Sequence, residues 1–360
     1  MADKVLMKGN EVIGEAAVLA GCRYYFGYPI TPQSEIPAYL SRRLPEVEGV
    51  FLQAESEVAA INMVYGAASA GARVMTSSSS PGVSLKQEGL SYIAGAELPC
   101  VVVNVVRGGP GLGNISPAQS DYWQATRGGG HGDYRTLVLA PNSVQEIADM
   151  TIAAFELADR FRNPVLLLVD GILGQMMEPV QLPAPLSYDL NQKPWALGNP
   201  NRKGGRNLCS TIFLDVEQLE EHNWHLYQKY QVVTDEFAKG AYQHLAVETH
   251  AVDDAEIILV GYGIISRILK TVVEKARKRG IKAGLVRPKT LWPFPSQVLA
   301  DLAARTKQFL VVEMSCGQMV EDVKLAVNGR KPVFFFGRTG GTVPSDFEIL
   351  NEVDKLVRPD

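Results

Sequence analysis

Two carboxylates, a threonine between prolines and an arginine after an apolar run are the residues here whose surroundings suit chemistry. Glu57 stands at the start of a segment with helical periodicity and shares a face with Ile61, Val64 and Ala68, at steps of four, seven and eleven. A carboxyl group on such a face loses its water and becomes a strong hydrogen-bond partner for a ring nitrogen. Glu55 points the other way, with Ala59 and Asn62, and both residues also suit the positive end of a helix. Thr31 lies between Pro29 and Pro32, just past an expected strand, and the prolines stiffen the backbone that carries its hydroxyl. Arg107 follows the apolar run Val101 to Val106 and precedes Gly108-Gly-Pro-Gly-Leu-Gly113, a loop that lets a ligand approach closely. A guanidinium there suits bidentate capture of a carboxylate or phosphate; the bland alternative is a surface ion pair. The serine run Ser77 to Ser80, with His131 and Asp133 elsewhere, offers a nucleophile, but no Gly-x-Ser-x-Gly elbow surrounds it. A polar turn lining a ligand site is the better reading.

These residues fall where an α/β fold would gather them. Short apolar runs alternate with helical patterns: helix 9–20, strand 23–27, helix 33–43, strand 50–53, helix 56–70, strand 74–76, strand 101–106, helix 144–161 and strand 165–169. In an open parallel sheet, ligands bind at the carboxyl ends of the strands, where Thr31, the serine run and Arg107 all lie. From Glu178 to about Asn207 the chain is rich in Pro, Asn and Gln without a period, which reads as a linker or wrapping arm; Gln218 to Val247 reads as helical. A second α/β unit follows, with strands 256–260, 283–286, 309–312 and 333–336 and helices 264–279 and 297–306. The expectation is two parallel-sheet domains, 1–185 and 251–360, joined by a linker and helical arm over 186–250. Gly261-Tyr-Gly263 starts like a dinucleotide fingerprint, but Ser266 stands at the third glycine position, so an NAD site is not expected.

The 360 residues are 46% hydrophobic and 21% charged with a formal charge of −4, which excludes extensive disorder and offers no basic excess for nucleic acid. No apolar run approaches a membrane span and the N-terminus carries charges, so the expected address is the cytoplasm with no membrane partner. Cys22, Cys100, Cys209 and Cys316 are at least 78 residues apart, so neither a metal site nor an iron–sulfur cluster is expected from this chain alone.

Gly27-Tyr-Pro-Ile-Thr-Pro-Gln-Ser-Glu-Ile36, Gln53-Ala-Glu-Ser-Glu57, Ser79-Ser-Pro-Gly82 and Arg107-Gly-Gly-Pro110 resemble the alpha-type subunit of 2-oxoacid:ferredoxin oxidoreductases. So do Arg287-Pro-Lys-Thr-Leu-Trp-Pro-Phe-Pro295, Val312-Glu-Met-Ser-Cys-Gly-Gln318 and Gly340-Gly341, and the likeness covers nearly the whole chain in order. Within that family it looks most like the branched-chain, 2-oxoisovalerate type. The resemblance implies a thiamine diphosphate-binding pyrimidine-type domain followed by one like the carboxy-terminal domain of transketolase. It implies that Glu57 hydrogen-bonds the aminopyrimidine and so favours its imino form. Thr31 and Arg107 would hold the 2-oxoacid carboxylate, while Pro29, Ile30, Ser79, Ser80 and Pro81 would line the cofactor. Ile115, Tyr122 and Trp123, in the loop 112–127, are expected to wall an apolar substrate pocket.

The family's Gly-Asp-Gly segment, which holds the diphosphate and Mg2+, is absent from the sequence. The resemblance therefore implies a beta-type subunit carrying it, a gamma-type subunit and a ferredoxin-like subunit with 4Fe–4S clusters. Together they would convert a 2-oxoacid and coenzyme A to acyl-CoA and CO2 with reduction of ferredoxin. Three other readings stay open: a 2-oxoglutarate enzyme, in which Lys86, Arg127 or Arg135 meets the distal carboxylate; a dehydrogenase component that hands its acyl group to lipoamide; and a non-catalytic structural subunit.

Overall fold

A computed structural model describes residues 4–186, 193–199 and 207–357. In chain order the first part runs β1 (Val5–Lys8), α1 (Gly9–Leu19), β2 (Tyr24–Gly27), α2 (Glu35–Glu46), β3 (Val50–Gln53), α3 (Glu57–Ser69), β4 (Val74–Ser78), α4 (Ser80–Leu85), α5 (Gln87–Gly95), β5 (Cys100–Val106), α6 (Tyr122–Arg127), β6 (Leu137–Leu139), α7 (Val144–Phe161), β7 (Pro164–Asp170), α8 (Gly171–Gln175) and β8 (Met177–Val180). It continues with α9 (Val216–Ala238), α10 (Gln243–Ala246), β9 (Val247–His250), β10 (Ile257–Val260), α11 (Gly263–Lys278), β11 (Ala283–Pro288), β12 (Thr290–Trp292), α12 (Ser296–Ala303), β13 (Gln308–Glu313), α13 (Met319–Val327), β14 (Val333–Gly337) and α14 (Asp346–Val357).

The larger sheet has the order β12-β6-β7-β5-β4-β2-β3 and the second β14-β13-β10-β11-β9. β5 and β7 are buried along their whole length, which explains why Val101 to Val106 and Pro164 to Val169 read as unbroken apolar runs. α3 starts where Ser56 accepts a hydrogen bond from the Ala59 amide, an N-cap that places Glu57 at the first helical position.

Both large sheets are parallel, as expected, apart from one edge strand each. β12 pairs antiparallel with β6, and β9 antiparallel with β11. β12 lies within 251–360, yet it closes the sheet of the first part, a long-range pairing that local periodicity cannot report. β4 also runs past Thr76: Ser77 and Ser78 pair with Val103 and Asn104, so the start of the serine run is strand rather than turn. Residues 187–192 and 200–206 of the expected linker lie outside the described residues. Next to them, the amide of Leu186 donates to Leu19 O at 2.7 Å, and that of Leu197 to Ser69 O at 2.9 Å, which ties the arm to the ends of α1 and α3.

The second sheet's domain is fastened over the carboxyl edge of the first by the segment 114–123. Gln119 exchanges backbone and side-chain hydrogen bonds with Met314 and donates from Nε2 to Tyr262 O at 3.0 Å. Asn114 Nδ2 donates to Gly340 O at 2.9 Å, and Gln318 Nε2 to Ser120 O at 2.7 Å. Asp170, fully buried at the end of β7, accepts from the amides of Leu173 and Ile264, so one carboxylate starts both α8 and α11. Its burial raises its pKa to about 6.

Candidate functional site

The loop carrying Thr31 is held from several sides by groups the sequence did not single out. Tyr25 donates its hydroxyl to Ser77 Oγ at 2.7 Å, and Ser77 Oγ donates to Gln33 Oε1 at 2.6 Å. Gln33 Nε2 in turn donates to Tyr28 O at 3.2 Å. Pro32 O accepts from Asn10 Nδ2 at 2.7 Å and Gln175 Nε2 at 3.0 Å. Thr31 itself is exposed, as are Tyr28 and Pro29.

Arg107 is buried to 8% exposure, and its guanidinium spans two loops. Nη1 donates to Thr31 O and Nη2 to Leu112 O, each at 3.1 Å. Nε is buried without a partner. The planar fork is therefore already oriented, with the Nε–H left over for an acceptor. The Arg107 backbone is fixed by Ser80: its amide donates to Ser80 Oγ at 3.0 Å. Ser80 adopts a φ of 22°, which side chains other than glycine rarely take, and its amide donates to Asn104 Oδ1 at 3.0 Å. Asn104 Nδ2 donates to Asp121 Oδ2 at 2.8 Å, and burial raises the Asp121 pKa.

Glu57 is 5% exposed and Glu55 exposed, as the helical register requires; Ile61, Val64 and Ala68 are buried on the same face. No described residue hydrogen-bonds the Glu57 carboxylate. It sits against Gly82: a Cβ there would press on Glu57 Oε1 and Ser78 Oγ and lie 3.0 Å from Glu57 Cδ. The glycine leaves the carboxylate a cradle that no other residue type would leave. Ser78 Oγ and Ser79 Oγ beside it are buried without partners. A carboxylate with spare lone pairs, orphaned hydroxyls and a side-chain-free wall fit a polar heterocycle better than they fit a closed core.

Beyond Ser80 and Pro81 a cavity of about 630 Å³ runs between the two sheets' loops, lined among others by Gly108, Gly109, Asp121, Ser315 and Cys316. The expected apolar substrate wall does not form as drawn. Tyr122 is wholly buried, packs on Tyr262 and donates to Asp322 Oδ2 at 2.6 Å, while Ile115 is 64% exposed and Trp123 half-exposed. An aromatic in an apolar helix reads the same whether it faces a pocket or the domain interface, and here the interface has it. Ile30 is half-buried in the Thr31 loop. Of the cations considered for a distal carboxylate, Lys86 is fully buried on Thr76 Oγ1 at 3.0 Å, Arg127 pairs with Asp322 at 3.3 Å, and Arg135 is exposed. Asn104 and Asp121 were missed as site residues, and neither carries a local signal; Gly82 was singled out only within the Ser-Pro-Gly motif, and Lys86 only for a distal carboxylate. Among the described residues no group of three or more His, Cys, Asp or Glu is placed to hold a metal ion, and no helix is long and apolar enough to cross a membrane.

Comparison with known proteins identifies the family. Residues 15–252 match the family described as pyruvate flavodoxin/ferredoxin oxidoreductase, thiamine diphosphate-binding, and residues 255–349 match pyruvate:ferredoxin oxidoreductase core domain II. The ketoisovalerate oxidoreductase subunit VorB of Methanothermobacter marburgensis is 52% identical over 98% of this chain and 97% of its own length. The 2-oxoglutarate synthase subunit KorA of the same organism is 35% identical over 98% of this chain and 99% of its own. A structure of the 2-oxoglutarate:ferredoxin oxidoreductase from Magnetococcus marinus superposes with a TM-score of 0.87 at 28% identity, covering 99% of this chain and 66% of that one. The chain belongs to the pyruvate flavodoxin/ferredoxin oxidoreductase family, with a thiamine diphosphate-binding domain followed by a core domain II.

Proposed function

We propose that the chain is the alpha-type subunit of a 2-oxoacid:ferredoxin oxidoreductase that acts on 2-oxoisovalerate and related branched-chain 2-oxoacids. The observation that carries the substrate assignment is the contrast between 52% identity to the ketoisovalerate subunit and 35% to the 2-oxoglutarate subunit, both over nearly the full length. The reaction oxidatively decarboxylates the 2-oxoacid, transfers the acyl group to coenzyme A and delivers the released electrons to ferredoxin. Bound thiamine diphosphate would supply the carbon nucleophile that attacks the 2-oxo carbon.

This chain's residues bind and orient. Glu57 offers its desolvated carboxyl to the ring nitrogen of the aminopyrimidine, against the wall of Gly82, Ser78 and Ser79. Arg107 presents Nε–H and its remaining Nη–H groups to the substrate carboxylate, and Thr31, tied to the same guanidinium through its carbonyl, presents its hydroxyl from the facing loop. Pro29, Ile30, Ser80 and Pro81 complete the lining. Ile115 and Trp123, exposed on one chain, reach substrate only if the assembled complex covers the loop. Three partners complete the enzyme: a beta-type subunit with the diphosphate and Mg2+ motif, a gamma-type subunit, and a ferredoxin-like subunit with the iron–sulfur clusters. We assign the complex to the cytoplasm and the division of the chain to 1–185, 186–250 and 251–360. A substrate panel on the purified complex, with coenzyme A and a viologen acceptor, tests the reading. Branched 2-oxoacids should outrun 2-oxoglutarate by roughly ten- to two-hundredfold, the discrimination of one or two apolar contacts. Equal or faster turnover of 2-oxoglutarate overturns the substrate assignment.

A further inference from the structure

The side chain of Lys86, at the junction of α4 and α5, is completely buried. Its ammonium makes one hydrogen bond, to the neutral Thr76 Oγ1 on β4 at 3.0 Å. One neutral acceptor does not repay the desolvation of a full charge, so a counter-charge is required. Burial lowers the Lys86 pKa to about 8, and the charge of Glu57 on α3 opposes this shift. Thr76 and Ser78 lie on one face of β4, and Gly82 stands four residues, about one helical turn, before Lys86; Lys86 bonds Thr76 at one end of this patch, and the Glu57 carboxylate and Ser78 Oγ crowd the Gly82 position at the other.

We propose that Lys86 is a positioning residue for Glu57, a buried counter-cation that sets the charge with which the carboxylate meets the ring nitrogen it binds. The inference rests on the assignment of Glu57 above. When Glu57 and a ring nitrogen share one proton, an ammonium behind the carboxylate favours the proton on the nitrogen and the negative charge on the glutamate. Removing the ammonium moves the proton toward the carboxyl oxygen. No proton is gained or lost overall; its place between two atoms changes.

The test uses the intact complex and two neutral variants, Lys86→Met and Lys86→Gln; the second keeps a donor for Thr76. Both should lower kcat by about tenfold or more, with KM for the 2-oxoacid nearly unchanged. The native complex is expected to show an alkaline limb near pH 8, as Lys86 loses its proton, and both variants are expected to lack it. Wild-type kcat in Lys86→Gln would show that the hydrogen bond, not the charge, is what matters, and would overturn the proposal.

A second readout needs no turnover: melting of the cofactor-free complex below pH 8 in a cycle with Glu57→Gln. Glu57→Gln should lower the melting temperature by roughly 2–4 °C in the native background, where it strands the ammonium, and leave it unchanged in the Lys86→Met background. Equal effects in both backgrounds mean that the pair is not coupled and sink the inference. If instead Glu57→Gln keeps full turnover while the melting cycle shows coupling, the assignment of Glu57 fails and the pairing stands.

Discussion

Replacing Gly82 with alanine should disable the site without touching its chemical groups. A Cβ at Gly82 lies 3.0 Å from Glu57 Cδ and closer still to Oε1 and to Ser78 Oγ. Carbon atoms settle at about 3.5–4.0 Å, so the carboxyl carbon must retreat by about 0.5–1 Å. Ser78 and Glu57 are both buried, which leaves little room for any other adjustment. Displacement of a positioned group by about 1 Å costs on the order of a hundredfold in rate, or about 2.7 kcal/mol of barrier. We expect kcat of the complex, followed by viologen reduction, to fall by about that factor, while KM for the 2-oxoacid stays within about threefold because Arg107 is untouched. The effect should act through Glu57. In a Glu57→Gln background, itself slowed at least about a hundredfold, Gly82→Ala should cost less than about threefold more. A full hundredfold loss in that background, or normal turnover of Gly82→Ala alone, would refute the steric path from Gly82 to the carboxylate.

Three further outcomes follow from the same geometry. Arg107→Lys keeps the charge but cannot reach Thr31 O, Leu112 O and a ligand together, so initial-rate assays should show KM raised about tenfold or more, by a similar factor for every 2-oxoacid. A change confined to one substrate would move Arg107 from general carboxylate binding to side-chain selection. Gly66 lies in α3 with open space where a Cβ would go, so Gly66→Ala should stabilise the fold by about 0.5–1 kcal/mol in denaturant melts with kcat unaltered. Calorimetry and absorbance of the isolated chain should show weak, Mg2+-independent binding of thiamine diphosphate and no iron–sulfur band; tight Mg2+-dependent binding contradicts a cofactor site shared with a partner.

Local pattern determined much of this protein. The span of α7, the limits of β3 and the placement of Glu57 on a buried face follow from period and cap alone, because each depends on residues a few positions apart. So does the gathering of Thr31, the serine run and Arg107 at one sheet edge, once alternating strands and helices imply a parallel sheet. Tertiary structure alone decided the rest. β12 pairs with a strand some 150 residues earlier, Tyr122 turns into the domain interface rather than a pocket, and Arg107 is held by carbonyls of two loops. Lys86, considered for a distal substrate carboxylate, lies fully buried, under the electrostatic influence of Glu57. In each case a deciding partner lies beyond the reach of local periodicity: β6 for β12, Asp322 for Tyr122, Thr31 for Arg107 and Glu57 for Lys86. Hydrophobic period says that a side chain is buried, but only the packed chain says against which charge, ring or carbonyl.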